Sequence, residues 1–523
     1  MRWWPTYGDA EPNITESQLS TEGAIFPTCW ESVAPYIAEF IGVFVLTLTF
    51  VYNYSGDHTD SLWGVSANAF MMMCFVYAFG HVSGANFNPS VCIALWLSGR
   101  YRAPVALKFC LAQILGAVCA AVVAVQSIHG IDIGPKEGYT WGHVLLVESM
   151  YSGLICLVYL NCAASMKCNP PGDWNGIVGL AVGFSFVAGG YASKQVANTV
   201  FNSAISLGIA IVDCQDYGVF SWDGFAYFLY DLLGAVIGAS FYRILRPAES
   251  SRSFNLGERD VSAISSTLAS QVAAELIGTY YVVVTKALNR LDDSESASYE
   301  AWSVAAVVMA LAYSFKDISG AFFNPAVTVA VFASGRRADL TLRVVFIYIS
   351  VQVMAGMLAS STFAAVHGVG IQISFGNTYT WEAAALSELL FSLLMSYTVL
   401  SAGVAVDELL GGCRGFASEP DGAARKCRTR QNNVAGLAYA ACQIVAGFSV
   451  GNVSGSILNP AIVVGFSGLQ VLSRHADGVY IQYILYEVVG ALLASALFFV
   501  THAHLYKEQK DPEGCARPLG PPA

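Results

Sequence analysis

Charge is what this chain has least of. Charged residues are 12% of its 523 residues, about half the roughly 25% of an ordinary soluble domain, and mean hydropathy is +0.53. A soluble globular protein is excluded and a membrane protein indicated. The formal net charge of −11 resides in tails and loops and offers no basic surface for nucleic acid. The thirteen cysteines show no paired spacing, and Cys74, Cys110, Cys119, Cys156 and Cys442 fall inside apolar runs. They read as small buried hydrophobes rather than disulfides or metal ligands. No nucleophile–base pair, metal-ligand cluster or phosphate loop is visible, so no enzyme, cofactor or metal is expected. Residues 1–30 lack a central apolar core, so membrane insertion is assigned to the first long apolar run rather than to a cleavable leader.

Long apolar runs are what the chain has in abundance. They lie near 34–54, 64–81, 104–127, 143–165, 174–192 and 224–245, six spans each long enough for about 30 Å of hydrocarbon. A polar stretch over 246–269 follows, and the pattern restarts near 270–289, 302–316, 341–366, 383–404, 432–450 and 478–501. Glu275 repeats Glu39 at an offset of 236 (275 − 39), and Asn324 repeats Asn88 at the same offset. Glu388 repeats Glu148 at 240, and Asn459 repeats Asn202 at 257, the second half carrying a longer polar insert. Collinear repeats of this kind indicate duplication.

The organising stretch is Ile318–Thr328, where Ser319-Gly320-Ala321 leads into Asn324-Pro325-Ala326. Pro fits the first position of a helix, where its missing N–H costs nothing. The spacing therefore predicts a short helix beginning at Asn324, too short to cross a bilayer. Irregular backbone at membrane depth is tolerated only when it lines a cavity or is buried in protein, so the segment reads as a re-entrant, pore-lining loop. Asn88-Pro89-Ser90 and Asn459-Pro460-Ala461 are further copies, and Asn202-Ser203-Ala204 is a fourth that has lost Pro. Within each half the cassettes follow spans two and five, the arrangement of an inverted three-plus-three repeat.

On these residues the chain resembles the major intrinsic proteins, the aquaporins and aquaglyceroporins, over about Ala34 to Thr501. The resemblance implies an all-α polytopic membrane protein of two tandem units, each with six transmembrane helices and two re-entrant half-helices. The expected divisions are a cytoplasmic tail over 1–32, a first unit over 33–246, a linker over 247–269, a second unit over 270–503 and a tail over 504–523. It implies a passive channel for water and small neutral solutes such as glycerol or urea, with lipid as its surroundings. Two half-helices would meet end to end in each unit, with Asn88 and Asn202, then Asn324 and Asn459, donating to the permeating molecule. By the same match Glu39, Glu148, Glu275 and Glu388 hold the loops, helped by Gln113 and Gln352. The selectivity-filter places fall on Asn68, Gly190, Thr199 and Ile205 in the first unit and on Val304, Gly447, Ser456 and Ile462 in the second. The family's usual filter Arg is replaced by Ile205 and Ile462, so the expected filter is wider and more apolar than a water-only one.

Gly80-His81 at one pore mouth corresponds to Lys316-Asp317 at the other. His81 reads as a pH gate or as a satisfied pore histidine, and Lys316 with Asp317 as a self-neutralising pair or a charged ring. Most of the basic residues, Arg100, Arg246, Arg336 and the cluster at 425–430 among them, fall on one side if both termini are cytoplasmic. A homodimer giving four pores is the expected assembly, since the family packs four units about an axis. Two rivals stay open. One is a non-conducting structural or regulatory protein, favoured by the missing filter Arg and by Ser203. The other is a twelve-span secondary transporter, which needs charged groups near the midplane, where the four Glu are the candidates.

Overall fold

The computed structural model describes residues 29–54, 63–126, 133–169, 175–217, 222–250, 266–290, 296–368, 370–371, 379–406, 434–472 and 479–506. The expectations for the N-terminal tail before 29, most of the linker, the basic cluster at 425–430 and the C-terminal tail after 506 lie outside these residues. The chain divides into two compact units, 1–265 and 266–523.

In the first unit the helices are α1 (Cys29–Asn53), α2 (Gly64–Ser83), α3 (Pro89–Leu97), α4 (Ala103–Ala124), α5 (Trp141–Tyr159), α6 (Val178–Ser193), α7 (Ser203–Tyr217), α8 (Trp222–Leu245) and the short α9 (Pro247–Ser250). The second unit repeats the order with α10 (Leu268–Leu288), α11 (Ser296–Phe315), α12 (Pro325–Ala333), α13 (Leu342–His367), α14 (Trp381–Thr398), α15 (Ala435–Ser454), α16 (Pro460–Leu472) and α17 (Val479–Thr501). Ten helices among the described residues are long and apolar enough to cross a membrane, five in each unit. The other two expected spans are represented by shorter apolar stretches, Val178–Ser193 and Tyr299–Phe315.

Packing follows the duplication. In the first unit α1 lies on α4, α2 on α6 and α5 on α8; in the second α10 lies on α13, α11 on α15 and α14 on α17. Leu107, Leu111 and Leu115 stand exposed along α4, one apolar face four residues apart of the kind that lipid or another protein surface, rather than water, covers without cost. In both units the fourth span ends in π-helix, over Leu160–Ala164 and Val399–Ala405.

The short helices start where side chains make them start. Asn88 has extended backbone (φ −153°, ψ 119°), and its side chain accepts from Ser90 N at 3.0 Å. Asn324 does the same (φ −154°, ψ 121°), accepting from Ala326 N at 2.8 Å. Each is an N-cap with Pro at the next position. The resulting helices are nine residues long, about 14 Å at 1.5 Å per residue, half of what a span needs.

Candidate functional site

The loops before the four short helices are strained. Ala85, Phe87, Phe201, Ala321, Phe323, Ser456 and Leu458 all have positive φ, between 46° and 57°, a region that costs a non-glycine residue about 1–3 kcal/mol. What holds them is a carboxylate from a neighbouring span. Glu39 of α1 accepts from Ser83 Oγ (2.7 Å), Asn86 N (2.9 Å) and Phe87 N (2.7 Å). Gln113 Nε2 donates to its other side at 2.7 Å. Glu275 repeats the set with Ser319 Oγ (2.6 Å), Phe322 N (3.1 Å), Phe323 N (2.8 Å) and Gln352 Nε2 (2.9 Å). Glu148 accepts from Val200 N at 3.1 Å and Phe201 N at 2.5 Å, and Glu388 from Ile457 N at 3.0 Å and Leu458 N at 2.7 Å. One turn beyond Glu39, Gly42 leaves room for the Phe87 ring, which any Cβ there would strike; Gly278 does so for Phe323. The recurring Ala-Glu-x-x-Gly pattern is thus a loop receptor: the carboxylate takes the amides and the glycine takes the ring.

Within each unit the two caps reach across to one another. Asn88 Nδ2 donates to the Phe201 carbonyl at 2.8 Å, and Asn202 Nδ2 donates to the Phe87 carbonyl at 2.7 Å. In the second unit Asn324 Nδ2 donates to Leu458 O at 2.8 Å and Asn459 Nδ2 to Phe323 O at 3.0 Å. Asn202 and Asn459 also cap their own helices, accepting from Ala204 N at 3.1 Å and Ala461 N at 3.0 Å. Where Pro is lost, Ser203 opens α7 and its hydroxyl lies 2.9 Å from that of Ser90. Pro325 and Pro460 open α12 and α16 in the second unit, with Ala326 and Ala461 behind them.

Asn68, Gly190, Thr199 and Ile205 line one cavity of about 40 Å³, together with Leu46, Phe50, Tyr54, Val65, Met72, Phe186, Val200, Phe201 and Asn202. At about 10–15 Å³ per water, that is room for about three or four. Gly190 is also a packing residue: a Cβ there would collide with Val65 across α2, as one at Gly447 would with Ala301. Val304, Ser456 and Ile462 are buried in the second unit. His81 stands exposed near the end of α2, and Lys316 and Asp317 are half-buried just after α11.

The sequence profile of the family described as Major intrinsic protein matches residues 27–245 and again residues 262–408. The chain belongs to the major intrinsic protein family. Members are membrane channels for water and small solutes, so this is an integral, multi-pass channel protein. The second match ends before the Asn459 cassette. Relatives include Aquaporin Z of Photorhabdus laumondii, 27% identical over 201 residues (35% of this chain, 82% of the relative). The probable aquaporin NIP7-1 of Arabidopsis thaliana is 27% identical over 217 residues (40% and 74%), and Aquaporin-4 of Notomys alexis 25% over 262 residues (46% and 74%). The X-ray structure of the aquaglyceroporin from Plasmodium falciparum aligns at 16% identity and a TM-score of 0.37, over 46% of this chain and 98% of that one.

Buried charge in this major intrinsic protein is not confined to the four Glu of the repeats. Asp231 of α8 accepts from Ser152 Oγ and from Ser206 Oγ at 3.2 Å, and its carboxyl faces Glu148. Glu487 of α17 accepts from Asn459 N at 2.9 Å and faces Glu388. Lys286 of α10 pairs with Glu300 of α11. Each stands as a charge inside or beside an apolar run, a signal readable in the sequence but masked by reading only what repeats. Asp231 is tied to hydroxyls, Lys286 and Glu300 to each other, and Glu487 to loop backbone through one oxygen, its other oxygen being buried without a hydrogen-bond partner among the described residues.

Outside the spans of the first unit, Glu249 of α9 forms a clamp. It accepts from Ser165 Oγ and Met166 N, each at 2.8 Å, and pairs with Arg100 at 2.6 Å and Arg246 at 3.5 Å. Burial opposes its charge, but Arg246 and Arg100 outweigh it and hold the carboxyl below its usual range. Beyond the last helix of the second unit, Tyr506 has the Arg336 guanidinium 5.0 Å from its ring centre and its hydroxyl donates to Ser334 O at 2.7 Å.

Proposed function

We propose that each unit carries its own passive pore for water and small neutral solutes such as glycerol or urea, and that the short helices are re-entrant half-helices meeting within it. The observation that carries this reading is the reciprocal pair of capping asparagines. Each amide has two N–H donors and spends one on the opposite loop's carbonyl, leaving the second for a passing oxygen. The Asn oxygen meanwhile caps its own helix, so the amide is fixed in aim before any solute arrives. Two helix N-termini facing one point place partial positive charge there, which favours a lone-pair acceptor and repels cations and protons. The four Glu, with Gln113 and Gln352, are loop holders rather than proton relays: their oxygens are already taken by backbone amides and hydroxyls.

We assign the outer selectivity region to Asn68, Gly190, Thr199 and Ile205 and to Val304, Gly447, Ser456 and Ile462. Shared lining of one cavity supports the first set. Ile205 and Ile462 stand where a polar narrowing group would make the pore water-only, so the reading includes neutral solutes larger than water. Both termini cytoplasmic, and a homodimer giving four units about an axis, complete the proposal; native mass spectrometry from mild detergent showing only monomer would count against the dimer. The testing experiment is stopped-flow swelling of proteoliposomes with water, glycerol and urea, for the full chain and for Ile205→Trp and Ile462→Trp. Each substitution should remove part of the flux. Flux through folded wild type no greater than through empty liposomes would leave the non-conducting reading in its place.

A further inference from the structure

The two units differ in charge at the end of the first span. Matched by the offset of 236, Phe50, Tyr54 and Gly64 of the first unit become Lys286, Arg290 and Glu300 of the second. The correspondence is also structural, since Gly190 meets Val65 as Gly447 meets Ala301. Phe50 and Tyr54 are walls of the cavity in the first unit. In the second unit the same places hold an ion cluster: Lys286 and Arg290 both pair with Glu300, the latter at 3.1 Å. Each cation also donates once to the loop. Lys286 Nζ donates to Ser456 O at 2.9 Å and Arg290 Nη2 to Gly455 O at 2.5 Å. The three side chains are 4%, 15% and 13% exposed, in the order Lys286, Arg290, Glu300.

The loop is shaped to receive them. Gly455 has φ +83°, and a Cβ on it would collide with the Arg290 guanidinium. Asn198 stands at the matched place (455 − 257), and Thr199, matched to Ser456, does not share that residue's positive φ. A β-branched residue disfavours that conformation, so the first unit's loop enters its cassette by another route. A wall of Leu46, Phe50 and Val65 with Asn68 and Thr199 as polar points suits a solute with both carbon and hydroxyl faces. A mouth clamped by buried cations has lost the aromatic wall of Phe50 and Tyr54, and its Gly455 and Ser456 carbonyls are engaged.

We propose that Lys286, Arg290 and Glu300 set the selectivity of the second unit's outer mouth, so that the second pore favours water over polyols and urea more strongly than the first pore does. This rests on the two-pore reading above. The test uses the full chain in proteoliposomes, with Thr199→Cys or Ser456→Cys allowing either mouth to be blocked after folding by a thiol reagent. Wild type treated in parallel reports what the native cysteines contribute. With the first mouth blocked, the glycerol-to-water permeability ratio should be lower by roughly tenfold than with the second blocked, the scale on which one altered contact in a pocket discriminates. Transplanting the first unit's residues, as Lys286→Phe, Arg290→Tyr and Glu300→Gly, should raise the ratio of the second pore toward that of the first. Lys286→Met with Glu300→Gln should raise it in the same direction if the transplant does not fold. Equal ratios for the two pores, or a ratio unmoved by both sets of substitutions, would overturn the proposal. So would a second pore that passes no water while the first conducts. Wild type that conducts nothing would fail the channel reading first, and this proposal with it.

Discussion

Removing the Glu39 carboxylate should cost the first unit both stability and conduction, and the cost can be worked from its contacts. Glu39 satisfies two backbone amides of a loop in which Ala85 and Phe87 have positive φ. Glu39→Ala leaves both amides buried without an acceptor, at about 1–3 kcal/mol each, so about 2–6 kcal/mol together. Spread over a unit of this size, that lowers the melting temperature by on the order of 10 °C. Glu39→Gln should cost less, about 1–3 kcal/mol. Its new NH2 would face donors on one side, but Gln113 can turn its own amide to accept. The assays are thermal unfolding in detergent and stopped-flow water permeability. Alanine should lower both, glutamine should fall between alanine and wild type, and the loss of flux should be confined to the first pore. An alanine variant that melts and conducts like wild type would refute the idea that this carboxylate holds the loop.

Ser203→Pro should restore a good helix start yet cost about 1 kcal/mol, because the Ser90 hydroxyl loses its partner. Adding Ser90→Ala, which recreates the second unit's pairing, should recover most of that loss in a thermal melt. Asn324→Asp keeps the cap to Ala326 N but has no amide to offer Leu458 O, so α12 should persist. Water flux through the second pore should fall by up to roughly tenfold, the worth of one neutral hydrogen bond at the upper end of its range, about 1.5 kcal/mol. Glu249 gives a pH dependence of known sign. Its carboxyl is held below the usual range, so its stabilisation is present above the ordinary carboxylate pKa of about 4.3 and drains away as pH falls through the lower folded value. Wild type should therefore out-melt Glu249→Gln at pH 7 and lose that margin in acid. A margin that does not change with pH would contradict the clamp.

Much of this architecture is legible in the sequence because duplication prints each device twice. Asn88 with Asn324, Glu39 with Glu275 and Gly42 with Gly278 recur at one offset of 236, and Gln113 recurs as Gln352 three residues further on, at 239 (352 − 113). What was not legible is what differs between the copies. Lys286, Arg290 and Glu300 face Phe50, Tyr54 and Gly64 in the alignment, and nothing in a pairwise repeat says that three unlike residues converge on one loop. Asp231 and Glu487 face the matched carboxyls Glu148 and Glu388, but their offset of 256 (487 − 231) is one residue away from that of the asparagines, so register alone hides them. Gly190 and Gly447 read as openings in a filter, whereas in space they are also where helices touch, which makes large residues there a poor plug and Ile205 and Ile462 better ones.

The central claim is a water-filled path through each folded unit. Its most direct test is the osmotic water permeability of proteoliposomes containing the full chain, followed over temperature. The account predicts permeability well above that of empty liposomes with a weak temperature dependence, because water exchanging hydrogen bonds with Asn amides need not dissolve in hydrocarbon. Permeability that equals the empty bilayer's in size and in temperature dependence, with the protein folded and incorporated, would contradict it.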